Sequence, residues 1–315
     1  MMLFQLLPYF LAAQVSTNTN DTWKYGPEYL FSGHAKMITS LDQDKGKLLG
    51  TGLYLKLKCR PREPDILRCK MDNTEITKLQ PQAFDIKYAN NAQDDGFRPF
   101  TVFNEDFEIK FNEKGIESYI VDEKTPLANW GMNMVRLIAN QLSIGIDLSD
   151  EMRPTYKALE NFTVGECDVD YRIIRMPWKS DPNQNMSFEL KPLEKIGKFG
   201  DESIEVQKRR HVKDCLRTAE PFFGTRYALG LIPKDSVTKL LSSESKILLS
   251  KTNFTSETIN ENEIYDKDRK KLGKIIDHMK LDLESIYPTT TELPTFVSQK
   301  NKEILPDRME DNSRY

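Results

Sequence analysis

The sequence holds few residues of the kinds that usually carry catalysis or bind metals. There are three histidines in 315 residues, His34, His211 and His278. None belongs to an H-E-x-x-H zinc pattern, and no nucleophile elbow or family triad signature accompanies them. The four cysteines, Cys59, Cys69, Cys167 and Cys215, form no C-x-x-C pair, which argues against a structural zinc site. No apolar run reaches the length of about 18 residues needed to span a bilayer. A basic excess is also missing: 45 Lys+Arg stand against 48 Asp+Glu, a formal net charge of −3, so a general nucleic-acid binder is not expected. Fifteen Gly and 16 Pro exclude collagen-like and proline-rich classes. The stretch Gly46-Lys47-Leu48-Leu49-Gly50-Thr51-Gly52 lacks the Gly-Lys-Ser/Thr ending of a phosphate loop and reads as hairpin turn glycines. Asp168 and Asp170 fall on the solvent side of a strand pattern and read as solvated carboxylates. No catalytic residue, metal ligand or cofactor is expected.

What is present points to an exported, mostly β protein. Residues 1–15 carry no charged side chain, and Leu3, Phe4, Leu6, Leu7, Phe10 and Leu11 form a short apolar run ending at Ala12-Ala13. A polar stretch follows at Ser16. This reads as a secretory signal peptide cut near Ala13 to Ser16, although no Lys or Arg precedes the run; the alternative is an apolar first strand of a cytosolic domain. The sequons at Asn20, Asn161, Asn185 and Asn253 are candidate glycan acceptors. An even cysteine count in an exported chain suggests two disulfides, for which three pairings exist.

From Tyr29 to Leu41 the apolar and small residues alternate, and Leu53, Leu55 and Leu57 face away from Tyr54, Lys56 and Lys58. Both runs have the period of two that marks half-buried strands. The loop Arg60–Asp65 separates the second run from Ile66–Met71, giving a hairpin flanked by Cys59 and Cys69. A cross-strand disulfide there depends on the register placing them opposite one another. Phe107, Ile109 and Phe111 turn through Asn112–Gly115 into Ile116–Val121 as a second hairpin. Cys167, Val169, Tyr171 and Ile173 share a strand face, and Ser203–Arg209, Tyr227–Ile232 and Lys246–Ser250 continue the series.

One segment breaks this period. Thr125 can cap a helix and Pro126 suits its first position. Over Leu127–Leu142 only Asn129, Asn133, Arg136 and Asn140 form a polar stripe, and most of the remaining residues are apolar. Such a helix needs cover on most of its circumference. Among many amphipathic strands it is expected inside a curled or closed antiparallel sheet. Near the end, Leu272, Ile275, Met279, Leu283 and Ile286 sit at helical spacing, so residues 265–287 read as a charged amphipathic helix. Residues 288–315 read as a disordered tail.

The run Lys208-Arg209-Arg210-His211-Val212-Lys213 is the one strong concentration of charge. It reads either as a solvated strand end or loop or, through Lys208, Arg209, Arg210 and Lys213, as a docking patch for an acidic partner, such as a receptor or an anionic lipid surface.

These residues resemble a known family. Tyr119–Pro126, then Trp130, Val135 and Leu137–Leu142, is similar to the strand-plus-helix signature of vitellogenins. Tyr156–Asn161 followed by Val164–Tyr171 resembles that family's Glu-x-x-x-x-Gly-x-Cys-x-x-x-Tyr stretch, and Ile204–Lys208 with Asp214-Cys215 resembles the segment supplying the second cysteine. Trp23–Tyr29 is similar to the family's opening strand. The resemblance runs over about residues 23–264. It implies membership of the large lipid transfer proteins, an N-terminal β-barrel enclosing a helix, and a Cys167–Cys215 disulfide. Proximity then leaves Cys59–Cys69 as the second pair.

The expected architecture is a leader over 1–15, a barrel domain over 16–264, the charged helix and the tail. Full-length family members continue into a helical arch and lipid-lining sheets, so bulk lipid carriage by this stretch alone is not expected. The expected role is a secreted docking module, linked by family to lipid transport and yolk storage, that meets a cell-surface receptor or another secreted protein. Lipid is a further partner that the resemblance implies. The alternative is a carrier holding a small apolar ligand inside the barrel, and a third reading is a secreted hydrolase.

Overall fold

The structure is a computed structural model that describes residues 2–7, 11–15, 24–42, 48–62, 65–79, 96–101, 105–112, 114–122, 129–145, 154–162, 165–177, 188–192, 202–213, 215, 217–218, 236–296 and 299–303. In chain order these form β1 (Met2–Leu7), β2 (Leu11–Val15), β3 (Pro27–Leu41), β4 (Leu48–Arg62), β5 (Ile66–Leu79), β6 (Arg98–Pro99), β7 (Phe107–Asn112), β8 (Gly115–Asp122) and α1 (Asn129–Gln141). Then come β9 (Thr155–Phe162), β10 (Gly165–Pro177), β11 (Phe188–Pro192), β12 (Glu202–Arg210), β13 (Arg217–Thr218), β14 (Val237–Leu249), β15 (Phe254–Tyr265), β16 (Lys271–Pro288) and β17 (Gln299–Glu303).

Eleven of these strands close into a barrel in the order β12-β14-β15-β16-β3-β4-β5-β7-β8-β9-β10, with β10 pairing back onto β12. Neighbours are antiparallel except β8 and β9, which meet in parallel through Gly115 and Asn161. Gly115 has φ +107°, and a Cβ there would stand 2.7 Å from Ser143 Oγ, so glycine is required at this seam. The alternation expected for β3 and β4 is present: Tyr29, Phe31, Ala35, Met37, Leu53, Leu55 and Leu57 are all buried. The hairpin of β7 and β8 also forms as expected.

A barrel's diameter grows with its strand number, and eight strands already leave an interior just wide enough for side chains to fill. Eleven strands therefore need a further element inside, and α1 supplies it. Met134, Val135, Leu137, Ile138 and Ala139 join one continuous core with residues of β3, β4, β5, β7, β8, β10, β12, β14, β15 and β16. The polar Asn140 and Gln141 are buried too. Thr125 and Pro126, the expected start of this helix, lie outside the described residues, as does the expected strand Tyr227–Ile232.

Both cysteine pairs form: Cys59–Cys69 and Cys167–Cys215. Cys59 stands directly opposite Cys69 in the β4–β5 register. The loop-closure estimate gives about 4 kcal/mol for the 48-residue loop of Cys167–Cys215 and about 3 kcal/mol for the 10-residue loop of Cys59–Cys69.

Two expectations fail at the C-terminal end. Residues 265–287 do not form a helix; Lys271–Pro288 is the longest strand, pairing β15 on one side and β3 on the other. Ile275, Met279 and Leu283 are spaced by four, which fits a strand as well as a helix. The intervening inward positions are Asp277 and Leu281, and the buried Asp277 hides the alternation. The barrel therefore runs to Pro288 rather than ending at 264. The tail is also not free from residue 288. Arg60 donates to the carbonyl of Thr291 at 2.7 Å, Arg68 donates to the carbonyl of Pro294, and Phe296 lies under the Arg68 guanidinium. Gln299–Glu303 then pairs with β8. Residues 304–315 lie outside the described residues.

The expected leader over 1–15 provides β1 and β2, which pair with β11 in a separate three-stranded sheet. Among the described residues no helix is long and apolar enough to cross a membrane.

Candidate functional site

The basic run divides between the two faces of β12. Ile204 and Val206 point into the barrel, so the period of two carries Lys208 and Arg210 inward and Arg209 outward. Lys208 is 1 % exposed and Arg210 4 %, so neither presents charge to a partner, which corrects the docking role expected of them. Inside the wall both meet Glu160 of β9. Lys208 Nζ lies 2.5 Å from Glu160 Oε1, and Arg210 Nη2 lies 3.6 Å from Oε2.

The same two cations hold the C-terminal end of α1. That helix has no basic residue in its last turn. Lys208 donates to the carbonyl of Ser143 at 2.6 Å, just past the helix end. Arg210 donates to Asn140 Oδ1 at 3.2 Å and to Ser245 Oγ at 2.8 Å. Gln141 Nε2 donates to Thr258 Oγ1 at 3.0 Å, and Ser256 Oγ donates to Gln141 Oε1 at 3.1 Å. Two cations and one carboxylate leave a positive excess, which the negative end of the helix dipole offsets. Burial pulls the Lys208 ammonium down to about 8, against the opposing pull of Glu160, and lowers Arg210 as well. The Tyr171 hydroxyl beside them is raised, chiefly by burial.

The network fixes the depth and rotation of α1 inside the barrel. Glu160 was missed by sequence reasoning, yet a signal existed: it pairs in register with Cys167, which faces inward.

The outer surface holds the rest of the expected patch. Arg209 is exposed and lies 3.6 Å from Glu244. Lys213 is exposed in the turn after β12. His211 Nε2 lies 2.6 Å from Asp170 Oδ2, and that contact, with Lys157 at 3.6 Å, holds the Asp170 carboxyl below its usual range. Arg209 borders two adjoining depressions. One, of about 720 Å³, spans β9, β10, β12, β14 and β15 and includes Lys157, Arg172, Lys246, Glu257 and Ile259. The other, of about 400 Å³, includes His211, Lys213, Leu241 and Glu244. Charges of both signs line this face, so it is less basic than the sequence run suggested. His34 and His278 lie on the outer faces of β3 and β16 as diagonal neighbours in the register, and His278 Nε2 lies 3.4 Å from Glu257. Among the described residues no group of three or more His, Cys, Asp or Glu is placed to hold a metal.

Of the sequons, Asn161 and Asn253 are half-buried, the first at the end of β9 and the second in the turn between β14 and β15. Asn20 and Asn185 lie outside the described residues.

The Vitellogenin N-terminal domain family matches residues 23–290. A curated relative, Vitellogenin-1 of Solenopsis invicta, is 23 % identical over 175 residues, which is 51 % of this chain and 10 % of that protein. A solved structure concerned with lipid–protein interactions in lipovitellin superimposes with a TM-score of 0.57 at 13 % identity, covering 90 % of this chain and 28 % of that one. At that identity the likeness establishes the fold. The chain spans about a tenth of the relative and somewhat over a quarter of the lipovitellin chain.

Proposed function

We propose, since this chain belongs to the vitellogenin N-terminal domain family, that it serves lipid transport and storage as a secreted docking module whose outer wall meets a cell-surface receptor or another secreted protein. One observation carries the reading: α1 and the strands share a single core, so the interior is filled by the chain's own side chains. A small apolar ligand inside the barrel would have to displace that helix and break the Glu160–Lys208–Arg210 network. Ligand pockets are usually largely pre-formed, and among the described residues α1 shares the interior core with the strands. The exterior is what remains available for recognition.

Arg209 and Lys213 are the members of the basic run exposed to a partner. Charge at the rim of an interface acts mainly on association rate and salt dependence. The labelled chain should bind saturably to intact cells that take up secreted lipoproteins. Arg209→Glu with Lys213→Glu should weaken that binding about tenfold at low salt while leaving the melting temperature unchanged. Non-saturable binding, or binding indifferent to both substitutions, would remove the proposal.

Export is supported by the apolar leader over 1–15, by the two disulfides and by the sequons at Asn20, Asn161, Asn185 and Asn253. The protein recovered from culture medium should start near Ser16 and lose mass on enzymatic deglycosylation. Retention in the cell with an intact Met1 would contradict export.

A further inference from the structure

The barrel wall is not paired evenly around its circumference. β8 bonds β7 along its length, but it meets β9 only where Gly115 stands beside Asn161, at the start of β8. Past that point β9 is paired with β10 and not with β8 among the described residues. The edge of β8 over residues 118–122 would then present a row of bare N–H and C=O groups. β17 covers it in antiparallel register, from Gln299 opposite Asp122 to Glu303 opposite Ser118. An open strand edge is a template for a further strand, in which main-chain hydrogen bonds supply affinity and alternate side chains supply specificity.

The sequence of β17 matches that edge poorly. Tyr119 and Val121 of β8 are fully buried and face the core. In an added strand, the residues opposite them share that face. β17 has Lys302 and Lys300 at these two register positions, and its sequence Gln-Lys-Asn-Lys-Glu holds no apolar or β-branched residue. Such residues are depleted in strands. What brings β17 to the edge is the segment before it. The Thr289 N–H donates to the carbonyl of Gly26, and its hydroxyl donates to that of Tyr25 at 2.8 Å. Arg60 then holds the Thr291 carbonyl, Arg68 holds that of Pro294, and Phe296 lies under the Arg68 guanidinium. These contacts lead the chain from the end of β16 past β4 and β5 toward β8. A strand on a short tether competes at an effective concentration of about a millimolar, so a poor match can still occupy the site.

We propose that the β8 edge over residues 118–122 is an acceptor site for an extended strand of a partner protein, aliphatic and β-branched at the two positions opposing Tyr119 and Val121, and that β17 is the displaceable strand occupying it in the isolated chain. Aliphatic residues there add cross-strand packing that lysine lacks, about 1 to 2 pairs' worth at the core face. The site is on β8, apart from Arg209 and Lys213 on and after β12, so it stands independently of the docking role of those two residues.

The probe is a labelled synthetic peptide of residues 297–305 carrying Lys300→Val and Lys302→Val. The receiving protein is the full chain with Lys300→Pro and Asn301→Pro. Neighbouring residues of a strand turn their N–H groups to opposite sides, so one of the two prolines removes a bond to β8 whatever the phase. This chain should bind the peptide saturably and at least tenfold more tightly than the unaltered chain does. The same peptide with its lysines kept should bind about tenfold more weakly. Amide exchange locates the site: the amides of residues 118–122 that face β17 should exchange at least tenfold faster in the double-proline chain and regain protection with peptide. The full chain carrying Lys300→Val and Lys302→Val, whose own strand is improved rather than removed, should exchange more slowly there and bind less peptide than the unaltered chain. Absence of saturable binding by the double-proline chain, binding that leaves exchange at 118–122 unchanged, or equal binding of the lysine peptide would overturn the proposal. Should the double-proline chain fail to fold, the double-valine chain decides alone, and unchanged exchange at 118–122 in it would overturn the proposal as well.

Discussion

Replacing Glu160 by Ala should lower the unfolding free energy by about 3–5 kcal/mol, the range for breaking a buried ion pair by removal of one partner. The effect follows from what remains. Lys208 and Arg210 would keep two cations in the barrel wall with no carboxylate between them. Their other partners, the Ser143 carbonyl, Asn140 and Ser245, are neutral. The helix end they hold would lose its anchor at the same time. Removing the charges together is a different experiment: a variant with Glu160→Leu, Lys208→Met and Arg210→Met should lose much less than the sum of the single changes, because apolar replacement of a whole buried ionic group is often neutral or stabilising. Urea unfolding of the single and combined variants measures this coupling directly. A loss below about 1 kcal/mol for Glu160→Ala would mean that the triad does not hold α1.

Asp277→Asn should do the reverse and raise stability, by an amount that depends on pH. Burial pushes the Asp277 carboxyl from 3.8 up to about 7. No charged side chain of β3, β15 or β16 is in ion-pair contact with it among the described residues, and burial is the sole cause of the shift. Because the folded-state value is raised, the unfolded chain gives up its proton first as pH rises. Below about 3.8 the two states are protonated alike and Asp277 has no pH-linked effect. Between 3.8 and about 7 the folded state loses stability with each rise in pH, and above 7 the full penalty applies. Moving the carboxyl from 3.8 to about 7 corresponds to a penalty on the order of 4 kcal/mol. The unaltered chain and Asp277→Asn should therefore be similar near pH 4 and diverge by several kcal/mol near pH 8. Parallel pH–stability curves would show that Asp277 is not a buried, uncompensated acid.

These two carboxylates also mark where the sequence was readable and where it was not. β3, β4 and the β7–β8 hairpin were legible because their inward positions are apolar without exception over several residues. The helix was legible because its narrow polar stripe leaves few packing options other than enclosure. β16 was misread because its inward face carries Asp277, and one polar inward residue was enough to turn an alternating run into an apparent spacing of four. The basic run was misread for the opposite reason. Ile204 and Val206 already set the inward phase of β12, and extending it by two steps puts Lys208 and Arg210 inside; grouping the residues by charge concealed this. Glu160 was legible only through pairing, since its inward direction follows from Cys167 opposite it. Local pattern reports which face a side chain occupies, whereas the partner of a buried charge comes from a distant strand and emerges only with the register.

Amide hydrogen exchange over residues 134–142 tests the filled barrel most directly. If α1 lies inside the eleven strands, its amides exchange only through global unfolding, with protection equal to that of β3 and β15. Exchange of those amides orders of magnitude faster than the strands around them would place the helix at the surface and contradict the account.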